Sequence, residues 1–181
     1  MNNVKLKTEI LERFKPVIAS WDASDIYAIS LFVYDADDNP LEPTVTLGYN
    51  TEEGVGKEMA SGFSSEGEAR WNYANWLQNE EFFFGQGWHG GQENGTGAIV
   101  KEWVAANNLD DINVTGEFVS VLIDVVKELH ATGFIQNKFG KPIPIIIHEL
   151  EYYDQIAEQN KLANPHDIIK DFANWIEGMY G

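Results

Sequence analysis

Asp25-Ile26-Tyr27-Ala28-Ile29-Ser30-Leu31-Phe32-Val33-Tyr34 is the longest run of strand-favouring residues in the chain. A strand with one wet face alternates apolar and polar side chains. This run carries apolar and aromatic residues on both parities, so it reads as a strand buried on both faces. The rest of the chain must supply two covers.

Working outward, Asp35, Asp37, Asp38, Asn39 and Pro40 form a turn signal. Residues 44–49 read as a second strand, joined to the first by a hairpin loop longer than the two-residue type. Thr44 and Thr46 alternate with Val45 and Leu47, which predicts one polar face and a place nearer the sheet edge. On the N-terminal side, Leu6, Ile10, Phe14 and Ile18 recur at helical spacing over residues 3–20. Pro16 lacks a backbone donor, so that helix is expected to end or kink near Lys15.

Further along, Asn50-Thr51-Glu52-Glu53 resembles a helix start, weakened by Gly54, Gly56 and Gly62. Residues 66–77 make a better helix, with Trp71 and Trp76 facing apolar neighbours. After the Phe82-Phe83-Phe84 run, six glycines among residues 85–97 mark a loop. A short helix follows over residues 99–107. Residues 117–130 carry the clearest amphipathic stripe, through Phe118, Val121, Leu122, Val125, Val126 and Leu129. A small hairpin arm over 134–141, a third strand over 143–148 and a helix over 149–159 come next. In the last helix Asn164 is the expected cap, Pro165 the first turn, and Ile168, Phe172, Trp175, Ile176 and Met179 the buried stripe. The pattern is a single α+β domain over residues 1–181, a small mainly antiparallel sheet packed against several helices.

Charge is the strongest global feature. Net charge is −17, and residues 21–93 hold fourteen acids against two bases, Lys57 and Arg70. Such a field repels nucleic acid and anionic membrane surfaces and attracts a basic protein. The simpler reading of the same charge is solubility. No apolar stretch approaches the ~20 residues needed to span a bilayer. No export signal opens the chain, so a cytoplasmic location is expected. Cysteine is absent, which excludes disulfides and thiolate metal sites.

The motifs that carry chemistry are weak. Gly85-x-Gly87-x-x-Gly90 matches a dinucleotide fingerprint, but further glycines prevent a helix from opening on time. His148-Glu149 lacks a second histidine one helical turn on, since residue 152 is Tyr. No serine sits in a nucleophile elbow. No catalytic residue, metal or cofactor is therefore assigned. Trp88 and His89, within the glycine-rich loop, either contact a ligand or fill the core and face water respectively.

At Tyr49-Asn50-Thr51-Glu52-Glu53, at Arg70-Trp71-x-x-x-x-Trp76 and in the helix after Pro165, the chain resembles a bacterial family catalogued as domain of unknown function 4303. That family has no established activity. The resemblance implies small, acidic, cysteine-free cytosolic proteins similar in style to the immunity proteins of bacterial toxin systems.

Two expectations follow. The first is a non-enzymatic module that binds a basic protein such as a toxin domain through Asp35, Asp37, Asp38, Glu52, Glu53, Glu80 and Glu81. The second is a small-molecule enzyme or sensor using residues 85–97 as a lid over a pocket lined by Arg70, Trp88 and His89. Arg70, nearly alone among acids, is also expected to sit in a semi-buried ion pair.

Overall fold

The computed structural model describes residues 1–22, 24–87 and 93–180. Along the chain run α1 (Asn3–Ser20), β1 (Ile26–Asp35), β2 (Pro43–Thr51), α2 (Glu52–Ser61), α3 (Glu66–Trp71) and β3 (Phe82–Phe84). There follow α4 (Thr96–Ala106), α5 (Val114–Ala131), α6 (Phe134–Phe139), β4 (Ile145–His148), α7 (Asp154–Ala163) and α8 (His166–Tyr180). The fold is α+β. Among the described residues no helix is long and apolar enough to cross a membrane.

The sheet order is β3-β2-β1-β4. β1 pairs antiparallel with β2 and parallel with β4, and β2 pairs antiparallel with β3. Ile29, Leu31 and Val33 share one face with Val45, Leu47, Ile145 and Ile147, packed under α1, α4 and α5. Ala28 and Ile146 lie on the other face, under Val55, Trp71, Trp76, Ile156, Ile169, Phe172 and Ile176. Both faces of β1 are thus covered, which is why its sequence does not alternate.

The β1–β2 ladder contains one irregularity. Ile26 faces Thr51 and Ala28 faces Asn50, so Tyr27 is an extra residue on β1. This bulge puts Tyr27 and Ala28 into the same core cluster while Ile26 joins the opposite one.

Several expectations change. β2 is not nearer the edge than β1, since β3 pairs with its far side. Its polar face is buried: Thr44 Oγ1 accepts from Gln86 N at 3.0 Å. Beside it, a Cβ on Gly48 would lie 2.2 Å from Asn79 O, so only glycine admits that close crossing. Pro16 does not end α1, which runs on to Ser20 because the buried Phe14 and Ile18 straddle the proline. Their burial offsets the ~3 kcal/mol that an internal proline costs.

α2 forms despite its glycines, capped by Thr51 Oγ1, which accepts from Gly54 N at 3.1 Å, and closed by Gly62 at φ +77°. α3 opens with a capping box between Ser65 and Glu68 and stops at Trp71, short of residue 77. There Asn72 caps a 3-10 turn, accepting from Ala74 N at 3.0 Å. Trp71 and Trp76 are both buried, as expected.

Residues 134–139 are helix rather than a hairpin arm, bounded by Gly133 and Gly140, both in the left-handed region. α7 begins at Asp154 rather than at residue 149, which leaves Leu150 outside it and 74% exposed. The stripe of α8 is Ile169, Phe172, Ala173 and Ile176, whereas Ile168 is half-buried and Met179 exposed. Asn164 turns to the sheet: it bonds Ile145 through both ends of its amide, and Asn160 does the same for Ile147. Together they close the free edge of β4.

Candidate functional site

β1 and β4 run parallel, and both end on the same side of the sheet, with Phe32 opposite His148. Beyond that pair the chains separate. β1 continues through Tyr34 to Asp35 and turns away into the hairpin; β4 passes into Glu149 and Leu150. Thr115, in the first turn of α5, reaches the same gap. These residues line a cleft of about 300 Å³. The carboxyl ends of parallel strands, where connections part in opposite directions, are a recurrent position for binding sites.

Two kinds of group meet there. The first is aromatic. Phe32 stacks on Tyr34 at 5.6 Å between ring centroids and on Tyr73 at 5.1 Å, and all three rings are half-buried. The second is anionic. Asp35 Oδ1 is buried and has no hydrogen-bond partner. Burial, then the neighbouring Asp38, pushes the Asp35 carboxyl above its ordinary range. Glu149 is oriented from one side, accepting from the Tyr153 hydroxyl at 2.9 Å. Burial and that carboxylate push Tyr153 up to about 12.

The seven acids expected at a contact divide between places. Asp35, Asp37 and Asp38 lie at the turn of the β1–β2 hairpin, with Asp37 at φ +53° and Asp38 at φ +56°. Glu52 and Glu53 lie at the other end of β2, about 27 Å away at strand spacing. Both are already paired there, Glu52 with Arg70 and Glu53 with Lys57. Glu81 stands midway, its backbone N donating to Leu47 O at 2.9 Å. Glu80 lies between Glu81 and the Asn79 crossing at Gly48, and its charge raises the pKa of both Tyr34 and Tyr73 behind the larger effect of burial.

Arg70 forms the expected semi-buried ion pair. Its Nη1 and Nη2 donate to the two Glu52 oxygens at 3.1 and 2.7 Å. Its guanidinium lies 4.6 Å from the Tyr27 ring centroid. The Glu52 bond is the main reason its pKa is raised. Its backbone carbonyl accepts from Trp76 Nε1 at 2.9 Å and from the Tyr27 hydroxyl. It borders a cleft of about 370 Å³ with Trp71, Trp175, Glu66 and Asp171. Trp88 and His89 lie outside the described residues. The described ends of the glycine-rich segment are elsewhere: Gly87 is beside the Tyr34 hydroxyl, and Gly85, Gln86 and Lys101 border a separate cavity of about 280 Å³.

One pair escaped the sequence reading. Ser30 Oγ lies 2.8 Å from His148 Nε2, and His148 Nδ1 lies 3.0 Å from Glu149 O. A carbonyl only accepts, so Nδ1 carries the proton and Ser30 donates to Nε2. The contact pattern is that of a nucleophile and its base. Ser30 is 3% exposed and His148 fully buried, ringed by Phe32, Tyr73, Trp76 and Tyr152. Burial holds the imidazole down at about 4. Both residues are shut into the core, where the pair satisfies their polarity. A lone serine in an apolar strand was the available signal. Compared with family models, with curated proteins and with solved structures, the chain matches none.

Proposed function

We propose that the protein is a non-enzymatic binding module for a basic protein, in the manner of a toxin immunity protein. A bacterial, cytosolic setting is the one its resemblance to the domain of unknown function 4303 family implies. The observation that carries the reading is the acidic turn of the β1–β2 hairpin, where Asp35, Asp37 and Asp38 stand together and the Asp38 charge helps raise the Asp35 carboxyl. Half-exposed tyrosines beside it are the residue type enriched at protein contacts.

The test is capture of basic proteins from a cell extract, followed by kinetics with the purified partner. Association is expected to slow at least tenfold between 50 and 500 mM salt, and again in a variant carrying D37N, D38N and E80Q. An association rate indifferent to both changes overturns the reading.

A further inference from the structure

We infer that Asn94-Gly95 is a self-modification site: when the contact between β3 and α4 opens, the Asn94 side-chain nitrogen is lost as ammonia, and the product cannot rebuild the contact. Among the chain's asparagines Asn94 alone is followed by glycine. Glycine has no Cβ to fend off the preceding side chain, so its backbone nitrogen reaches the Asn94 amide carbon with least hindrance. Both residues are exposed, and a Cβ on Gly95 would meet nothing within 4 Å, so water has access. In the reaction the Gly95 nitrogen bonds to Asn94 Cγ as the Cγ–Nδ2 bond breaks. Nδ2 leaves as ammonia with the proton that the Gly95 nitrogen gives up. Water then opens the cyclic imide at either carbonyl, to aspartate or to its β-linked isomer. Nothing is oxidised or reduced.

The fold clamps that amide at both ends. Nδ2 donates to Phe83 O at 2.6 Å, while Oδ1 accepts from Thr96 N at 3.0 Å and from Thr96 Oγ1. Phe83 belongs to β3 and Thr96 opens α4, and Thr96 Oγ1 also accepts from Gly85 N at 2.9 Å. The partners fix which end of the amide is oxygen. Ring closure needs the amide carbon to turn to the Gly95 nitrogen and Nδ2 to depart, so these bonds must break first. The product carries oxygen where Nδ2 stood. A carboxylate cannot donate, and there it would oppose the Phe83 carbonyl oxygen across the same 2.6 Å. A transient opening thus leaves a permanent mark.

The test follows residue 94 by mass spectrometry at pH 8 in three samples: the folded protein, the same chain in urea, and a capped peptide of residues 93–98. The peptide and the urea sample are expected to gain about 1 Da at equal rates, and the folded protein at least about tenfold more slowly. G95A, compared in urea so that the strained φ of +77° plays no part, is expected to slow the reaction about tenfold. N94D reproduces the α-linked product and is expected to raise amide exchange at Gly85 about tenfold, with that of Leu122 in α5 unchanged. A folded protein that reacts as fast as the peptide overturns the clamp. No gain of mass in the peptide, or a G95A chain as fast as the parent, overturns the site. N94D exchange that matches the parent at Gly85, or that rises equally at Leu122, overturns the local consequence.

Discussion

Asn164 meets Ile145 with both ends of its amide: Oδ1 accepts from Ile145 N at 2.9 Å and Nδ2 donates to Ile145 O at 2.8 Å. One helical turn earlier Asn160 repeats the motif on Ile147, at 2.8 and 2.7 Å. Residues 145 and 147 face away from β1, so α7 completes the ladder where a fifth strand would stand. Asn164→Ala should cost about 2–4 kcal/mol, because it strands a buried donor and a buried acceptor together. Asn164→Asp should be as damaging, since a carboxylate cannot donate to Ile145 O. Urea unfolding checks both, and a loss below about 0.5 kcal/mol would show that water replaces the amide.

His148 sets an acid limit. Its folded pKa is about 4 against an ordinary 6.5, because burial disfavours the imidazolium. The unfolded chain therefore binds the extra proton first as pH falls. The contribution is complete above about pH 6.5 and is lost progressively down to about pH 4, by roughly 3 kcal/mol in total. Unfolding free energies at pH 7.5, 5.5 and 4.5 should show the fall, and an NMR titration of the His148 ring should remain neutral until the low end of the range.

Asp35 works in the opposite direction. Its folded pKa is raised, so at neutral pH the unpaired carboxylate opposes folding. Asp35→Asn should stabilise the free protein by about 0.5–1 kcal/mol at pH 7. The gain should fade in acid, where the native carboxyl takes up a proton without help. Thermal unfolding of both forms at pH 7 and pH 4 tests it; a destabilised D35N at pH 7 would mean that the carboxylate has a partner.

Arg70→Lys should cost about 1 kcal/mol although it keeps the charge. A lysine cannot fork onto both Glu52 oxygens or lie flat over Tyr27 at 4.6 Å. The loss should appear in urea melts and as a shift of Trp71 and Trp76 fluorescence, because Trp76 is hydrogen-bonded to the Arg70 carbonyl.

The central strand was legible because its apolar run leaves a single interpretation, burial on both faces. Amphipathic α1 and α5 were legible for the same kind of reason. Elements fixed by distant partners were not. Thr44 and Thr46 look like a wet face, yet both are buried, with Thr44 hydrogen-bonded to Gln86. Asn164 looks like a helix cap until β4 claims it. Leu150 falls within the helix expected over 149–159 yet borders the cleft in the open, because the chain bends at 150–151 and α7 begins only at Asp154. At the candidate site Asp35 was named as one acid among seven, and Arg70 was matched with its ion pair. Glu149, Phe32 and Tyr34 were not associated with it, since nothing local connects the ends of two strands more than a hundred residues apart.

The bulge at Tyr27 makes the strand unevenly tolerant of shortening. Deleting a residue between 29 and 33 would turn every earlier side chain of β1 to the opposite side and pull α1 off its seat. Removing Tyr27 itself would leave Ile26 and all that precedes it facing as they do now, at the cost of the buried ring packed on Trp71 and Trp76 and of the hydroxyl that ties Asn50 to the Arg70 carbonyl. A scan of single-codon deletions across residues 26–34 should therefore find the alternation of the strand kept at the bulge, positions 27 and 28, and inverted at 29–33.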